Sequence, residues 1–151
     1  MFKKNYGKIK AISISEKKGI PKSNVEMAEL IENWGIKGDA HAGEWHRQIS
    51  LLALESIEKM KEKGLYKLTP GIFAENITTE FLILPELSIG TRLLIGEKCE
   101  LEITQIGKEC HSRCAIYRAA GDCVMPREGI FARVITGGII KINDEIIIKN
   151  G

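Results

Sequence analysis

The residues able to do thiol, imidazole or metal chemistry are not scattered along this chain. All three histidines fall in two short segments: His41 and His46 in Gly38-Asp39-Ala40-His41-Ala42-Gly43-Glu44-Trp45-His46-Arg47, and His111 in Cys110-His111-Ser112-Arg113-Cys114. Three of the four cysteines, Cys110, Cys114 and Cys123, lie within fourteen residues of one another. A thiol is a nucleophile or a metal ligand only as its thiolate, and neighbouring cations lower its pKa. Arg113 adjoins Cys114, and His111 and Arg127 are close along the chain; this run favours a reactive thiol. The same residues, in the pattern Cys-His-x-x-Cys-x8-Cys, could instead close a tetrahedral zinc site from Cys110, His111, Cys114 and Cys123. Structural zinc sites usually show two short-spaced ligand pairs, and only one exists here. The residue types alone leave both chemistries open. Cys99 lies in a strand-like run and reads as core.

Downstream, Gly121 to Arg133 is dense in special residues. Gly121 and Gly129 permit unusual backbone angles, Pro126 stiffens the chain, and Arg127 and Arg133 offer donor forks for an anion. A tight turn ahead of a core strand would use the same residues. No P-loop and no Gly-x-Gly-x-x-Gly occurs.

These segments need a scaffold, and the pattern of the chain indicates a β-rich one. Gly7 to Ser15 alternates apolar and polar with period two, the mark of a half-buried strand. Ser23 and Glu26 have capping-box spacing ahead of Met27, Leu30, Ile31 and Trp34, which fall at i, i+3, i+4 and i+7; this predicts a helix near 24–33 stopped by Gly35. Gly38 to Trp45 reads as a loop. Arg47 to Leu52 reads as a strand entering a helix over about 54–63. Beyond Thr69 come short strand-like runs at Phe73–Thr78, Thr91–Ile95, Glu100–Ile106, Phe131–Ile135 and Glu145–Ile148, with turn signals at Ile89-Gly90, Ile95-Gly96, Gly137-Gly138 and Asn143-Asp144. Many short strands with two early helices predict a mainly β fold, a barrel or closed sheet carrying a few peripheral helices. Such a sheet would bring His41, His46 and Cys114 together at one mouth of the barrel.

Bulk composition narrows the function classes. At 151 residues one domain spanning 1–151 is expected. A net charge of +2, with lysines interleaved with glutamates as in Glu58-Lys59-Met60-Lys61-Glu62-Lys63, lacks the basic stripe of a nucleic-acid binder. No apolar run approaches the ~20 residues of a membrane span. The N-terminal residues lack the apolar core of a signal peptide, so a cytoplasmic location is expected, where four cysteines are not a disulfide framework.

At these segments the sequence resembles the MOSC family, named for the molybdenum cofactor sulfurase C-terminal domain. The resemblance rests on Gly38-Asp39-Ala40-His41 with Trp45 to Leu52, on Pro70-Gly71-Ile72-Phe73-Ala74-Glu75-Asn76-Ile77, and on Leu87 to Leu94. It continues through Gly107-Lys108-Glu109-Cys110-His111, Gly121 to Arg133, and Gly138 to Asp144. The pieces run in family order from about residue 7 to the end, and Asn143 stands where glycine is expected. The resemblance implies a β-barrel similar to the pyruvate kinase β-barrel domain. It also implies a link to molybdenum cofactor (molybdopterin), with a cysteine desulfurase or cofactor-biosynthesis proteins as partners. Ser112-Arg113-Cys114 looks like the Ser-Arg-Cys triplet that supplies the molybdenum thiolate in the mitochondrial amidoxime-reducing component. Cys114 would then ligate molybdenum or carry a persulfide, with Cys110 and Cys123 as possible relay thiols. His41, His46, Arg47, Asn76, Arg113 and Arg133 would line the pocket for the pterin phosphate or sulfur donor. A non-catalytic cofactor carrier and a zinc-stabilised interaction module are the rival readings.

Overall fold

The computed structural model describes residues 6–18, 20–62, 68–107 and 128–149. Its eleven described strands are β1 (Tyr6–Ile14), β2 (Ser23–Val25), β3 (Met27–Ile31), β4 (Gly35–Ile36), β5 (Ile49–Ala53), β6 (Ile77–Glu80), β7 (Arg92–Ile95), β8 (Cys99–Ile106), β9 (Ile130–Thr136), β10 (Gly138–Lys141) and β11 (Glu145–Lys149). The order β11-β7-β8-β9-β5-β6-β1 closes on itself through β11–β1 pairing into a seven-stranded barrel, and β2 extends β1 beyond it. The β5–β6 pair is parallel. Between those two strands the chain forms the helix α1 (Leu54–Lys61), and a 3-10 turn at Leu84–Glu86 follows β6. A second sheet, β10-β3-β4, packs Leu30, Ile36 and Ile140 into the same core as the barrel. The mainly β barrel expected from the strand density is what forms. No described helix is long and apolar enough to cross a membrane.

Closure is driven by alternation. Ile49, Leu51 and Ala53 of β5, Leu101 and Ile103 of β8, and Ile130, Ala132 and Val134 of β9 all belong to one buried cluster. Successive side chains on a strand face opposite ways, so Ser50 and Leu52 of β5 and Phe131 of β9 point out of the barrel. β5 is nonetheless buried along its whole length, which requires that its outer face be covered as well. Two bulges re-aim residues toward that cover. A register shift between Ile9 and Ala11 in β1 lets both Ile9 and Ile12 face the core, and from there alternation turns Ser13 and Ser15 outward. A second, between Ile103 and Gln105 in β8, leaves Thr104 and Gln105 outside. A bulge inserts one residue and flips the faces beyond it.

Two sequence expectations need correction. The helix near 24–33 does not form: Ser23–Val25 pairs with Ile12–Ile14, and Met27–Ile31 pairs with Gly138–Lys141 and Gly35–Ile36. Of the four apolar residues at helical spacing only Leu30 is buried, while Met27, Ile31 and Trp34 are exposed. Asn33 and Gly35, at φ 51° and 129°, turn the chain between β3 and β4. Cross-strand partners for the backbone have overridden local periodicity. The strand expected from Phe73 starts only at Ile77, because the Glu75 carboxylate gathers the Gly71 and Phe73 N–H groups at 2.7 and 3.1 Å and curls the chain before it. The helix expected over 54–63 forms over Leu54–Lys61, with Glu55 in its first turn and Lys59 and Lys61 in its last, as the helix dipole favours.

Candidate functional site

β1 and β5 present Ser13 and Ser50 on the outer face of the barrel, and Asn76 ties the two strands together. Its side-chain oxygen accepts from the Ser50 N–H at 3.0 Å, and its Nδ2 donates to the Ser13 carbonyl at 3.1 Å. Its own N–H donates to Ser50 at 3.0 Å, and its carbonyl accepts from the Ser13 N–H at 2.7 Å. Asn76 is buried, and its amide joins β5 to β1. Thr78 and the Gly71 and Phe73 N–H groups surround the buried carboxylate of Glu75. Burial raises the Glu75 pKa against the lowering influence of those donors. Gly71 itself sits at φ 96°, and an added Cβ there would stand 2.7 Å from Ser13 Oγ. Gly71→Ala is therefore expected to cost about 1–3 kcal/mol, read as a lowered denaturation midpoint with an unchanged slope in urea.

The first half of the loop is pinned by a buried ion pair. Asp39 Oδ1 accepts from Lys22 Nζ at 2.8 Å, with the two side chains 0% and 1% exposed. The same carboxylate accepts the Ser15 N–H at 3.0 Å and the His41 N–H at 3.1 Å. Burial would raise the Asp39 pKa, but the Lys22 ammonium and the two backbone donors outweigh it and hold the carboxyl below its ordinary value. Lys22 Nζ also reaches Ser15 Oγ at 3.2 Å and His41 Nδ1 at 3.1 Å. This cluster forms one side of a cavity of about 570 Å³ that Pro70, Gly71 and Ile72 close on the other.

The second half of the loop builds a smaller pocket of about 80 Å³, lined by His41, Trp45, Arg47, Ser50, Asn76 and Phe131 among others. The Arg47 guanidinium carbon lies 5.3 Å from the Trp45 ring centre and 5.5 Å from that of Phe131. Its Nε is buried with no hydrogen-bond partner among the described residues. An unpartnered buried donor on a cation is costly, and sites keep one where a ligand supplies the acceptor. His46 lies on the far side of Trp45, where with Arg133 it lines a shallow depression of about 350 Å³. Arg133 donates to Glu102 Oε1 at 2.8 Å across the β8–β9 ladder.

Of the expected pocket residues, then, His41, Arg47 and Asn76 share one pocket, and His46 and Arg133 share its neighbour. Arg47 and Asn76 stand just ahead of β5 and β6, and Ser50 and Phe131 of the same pocket belong to β5 and β9. Cys110, Cys114, Cys123, His111 and Arg113 lie outside the described residues. The residues on either side of them are placed: Gly107 donates its N–H to the Gly129 carbonyl at 2.7 Å. Gln105 accepts from His46 Nε2 at 2.8 Å and donates to the Gly107 carbonyl at 2.7 Å. Thr104 also donates to the His46 carbonyl. Thr104 and Gln105, just ahead of the cysteine segment, therefore contact the histidine loop. Cys99 is a core residue, 1% exposed. Burial first, then the Asp144 charge, raises its pKa against the weaker influence of Lys98. Sequence reading did not single out Lys22, Asp39 or Ser15. The Gly-Asp-x-His run flagged the loop, but nothing in Pro21-Lys22-Ser23 announces a lysine whose ammonium is out of water.

The family model for the MOSC domain matches residues 38–147. Among solved structures, the YuaD protein from Bacillus subtilis superimposes with a TM-score of 0.80 at 18% identity, covering 95% of each chain. YiiM from Geobacillus stearothermophilus gives 0.72 at 17% identity over 95% of this chain and 75% of its own. YiiM from Escherichia coli gives 0.64 at 14%, over 95% and 71%. At these identities the likeness is one of fold. No curated protein sequence matches.

Proposed function

Because the chain belongs to the MOSC domain family, we propose that it is a molybdenum-cofactor-binding or sulfur-carrier protein whose reactive thiol is Cys114. The observation that carries the reading is Arg47. A permanent cation flattened between Trp45 and Phe131, with Nε buried and unpartnered, is a receptor waiting for oxyanion acceptors. The pocket volume of about 80 Å³ is below the roughly 300–1,000 Å³ of pockets that enclose whole ligands, so it suits a head group such as a phosphate and not the body of a pterin. Arg47 and His41 would hold that head group. His46 and Arg133 would line its approach, and Arg113, adjacent to Cys114, would favour the thiolate. Asn76 keeps the floor rigid by joining β5 to β1.

When bound, the cofactor would supply oxygen- or sulfur-atom exchange at molybdenum. The chain's own part would be to supply a thiolate from Cys114 and an anion socket from Arg47. In the sulfur-carrier form, the Cys114 thiolate takes the outer sulfur of a donor persulfide and the donor leaves as its thiolate, with Cys110 and Cys123 as neighbouring thiols able to pass the sulfur on. A cysteine desulfurase or a cofactor-biosynthesis protein is the fitting partner.

Elemental analysis of purified protein, with mass spectrometry after incubation with a cysteine desulfurase and cysteine, separates the readings. Molybdenum with pterin fluorescence, or one added sulfur on the Cys114 peptide, is the expected result. Stoichiometric zinc released only on denaturation, with neither molybdenum nor added sulfur, would overturn it in favour of a zinc module. Arg47→Met is expected to weaken cofactor retention by about 1.5–3 kcal/mol, roughly ten- to a hundredfold, the loss of a charge-assisted hydrogen bond. Molybdenum content after gel filtration measures it. Equal retention by the variant would remove Arg47 from the site.

A further inference from the structure

Two cations are held against one indole beside the smaller pocket, and no carboxylate answers either. Lys18 Nζ stands over the Trp45 ring at 5.9 Å from its centre, and the Arg47 guanidinium carbon stands over the same ring at 5.3 Å. Neither side chain forms an ion pair among the described residues, whereas Lys22, Lys37, Lys59 and Arg133 each do. None of the residues lining the pocket is acidic. Building on the reading of Arg47 as an anion socket, we propose that Lys18 is a second anion-binding residue of that pocket. The head group held there then carries two negative charges, as a phosphate monoester does, and not the single charge of a sulfate ester or a carboxylate.

Like charges drawn to one ring repel each other, and the aromatic face returns only a modest attraction to each. Elsewhere in the same loop a buried cation is answered by an acid, Lys22 by Asp39, so that pair adds no net charge. The acid next to the indole in sequence, Glu44, lines the shallow depression with His46 and Arg133 and not this pocket. Two positive charges are therefore left uncompensated at the pocket. Such a field favours a dianion over a monoanion of the same shape, since Coulomb energy scales with the charge of the ligand. The two cations differ in what they supply. Arg47 Nε is buried without a partner among the described residues and offers one directed, charge-assisted hydrogen bond. Lys18 is exposed, with three rotatable donors on a flexible stem; it brings charge and adapts to the outer oxygens. Trp45 between them is not free to turn. Its Nε1 donates to the His41 carbonyl at 2.9 Å, and its ring meets that of His46 edge to face at 6.0 Å. The fixed indole keeps both cations at the pocket.

Methyl phosphate and methyl sulfate share a shape and differ by one charge at mildly alkaline pH, because the second phosphate proton leaves near about pH 6. Each is titrated into the whole chain, carrying neither metal nor added sulfur and labelled with ¹⁵N-arginine. The Arg47 Nε–H resonance, assigned through Arg47→Met, reports binding at this pocket alone. The wild type should bind methyl phosphate more tightly than methyl sulfate. Lys18→Met should weaken methyl phosphate about fivefold and methyl sulfate about twofold, half as much on a logarithmic scale, as a field acting on two charges and on one requires. Lys18→Arg should bind both esters like the wild type. Added salt should erase the contribution of Lys18 and largely spare that of Arg47, since an exposed charge is screened far more than a buried one. Because Lys18 is exposed, its replacement should leave the urea midpoint unchanged. Equal affinities for the two esters in the wild type, or a Lys18→Met protein that binds methyl phosphate like the wild type, would overturn the two-cation assignment and leave the Arg47 socket standing. If neither ester moves the Arg47 Nε–H resonance, the socket itself fails and the second cation with it.

Discussion

Lys22→Met is expected to destabilise the fold by about 3–5 kcal/mol at neutral pH, the usual cost of removing one partner from a buried ion pair. The size follows from what is left behind. Asp39 is 0% exposed at its side chain, so without Lys22 its charge keeps two backbone N–H donors but loses its ammonium partner at 2.8 Å. For a domain of this size, a loss of 3–5 kcal/mol is a large part of the roughly 5–15 kcal/mol that separates folded from unfolded chains. The sign of the pH dependence separates this cause from lost packing. In the wild type the Asp39 pKa is lowered, so its stabilisation is present above the ordinary carboxylate pKa and is lost as pH falls through the folded-state value. In Lys22→Met the lowering influence of the ammonium is gone and burial pushes the carboxyl upward. The variant's deficit should therefore shrink as pH drops through that raised value, because protonation removes the stranded charge. Urea unfolding of both proteins from neutral to mildly acidic pH measures the difference. A deficit constant across that range would mean that the lysine stem, and not its charge, holds the loop. The double change K22M/D39N should recover most of the loss at neutral pH, since replacing both charges is far less costly than removing one.

How far the sequence leads here depends on which physical signal each residue carries. Strand runs such as Thr91–Ile95 and Glu145–Ile148 are legible because period-two alternation is a local property, and β7 and β11 form within a residue of those bounds. The segment from Ser23 to Trp34 misleads for the opposite reason. Its apolar spacing and its Ser23–Glu26 pair suit a helix, but β10 and β4 offer the backbone a ladder that no local pattern can reveal. The bulges are invisible in the same way: one extra residue in β1 sets Ser13 and Ser15 outward, and only pairing with β6 shows it. The site is half legible. Histidine, arginine and glycine crowding picks out the Gly38–Arg47 loop, and Arg47 and His41 do share a pocket. The groups that hold the loop are ordinary residues made special by burial: Lys22 and Asp39, with the partners of Lys22 up to 19 residues away. Burial is a consequence of the closed sheet, and composition does not announce it.

Cys114→Ser should reduce sulfur loading and molybdenum retention from stoichiometric to none, the largest functional effect expected of any single change. A thiolate attacks a persulfide or binds molybdenum because its sulfur is polarisable and readily deprotonated near neutral pH; a serine hydroxyl is neither. A cation adjoining the thiol enlarges the advantage: each pKa unit of depression corresponds to about 1.4 kcal/mol and, for a thiol titrating well above ambient pH, to about ten times more thiolate. Arg113 is that neighbour in sequence. Brief iodoacetamide labelling at neutral pH, followed by peptide mapping, ranks the four thiols. Cys114 should label first and Cys110 and Cys123 next. Cys99 should label last, since it is 1% exposed and its pKa is raised by burial. Serine variants then separate carrier from relay. Cys123→Ser or Cys110→Ser should slow transfer to an acceptor if those thiols pass sulfur on, with loading at Cys114 unchanged, and should do nothing if Cys114 acts alone. The fold should be indifferent to all three changes at the level of the urea midpoint. A Cys114→Ser protein that loads sulfur and retains molybdenum like the wild type, or a map in which Cys99 labels fastest, would move the reactive centre away from Cys114. The Arg47 socket would then have to serve an anion with no thiol chemistry beside it.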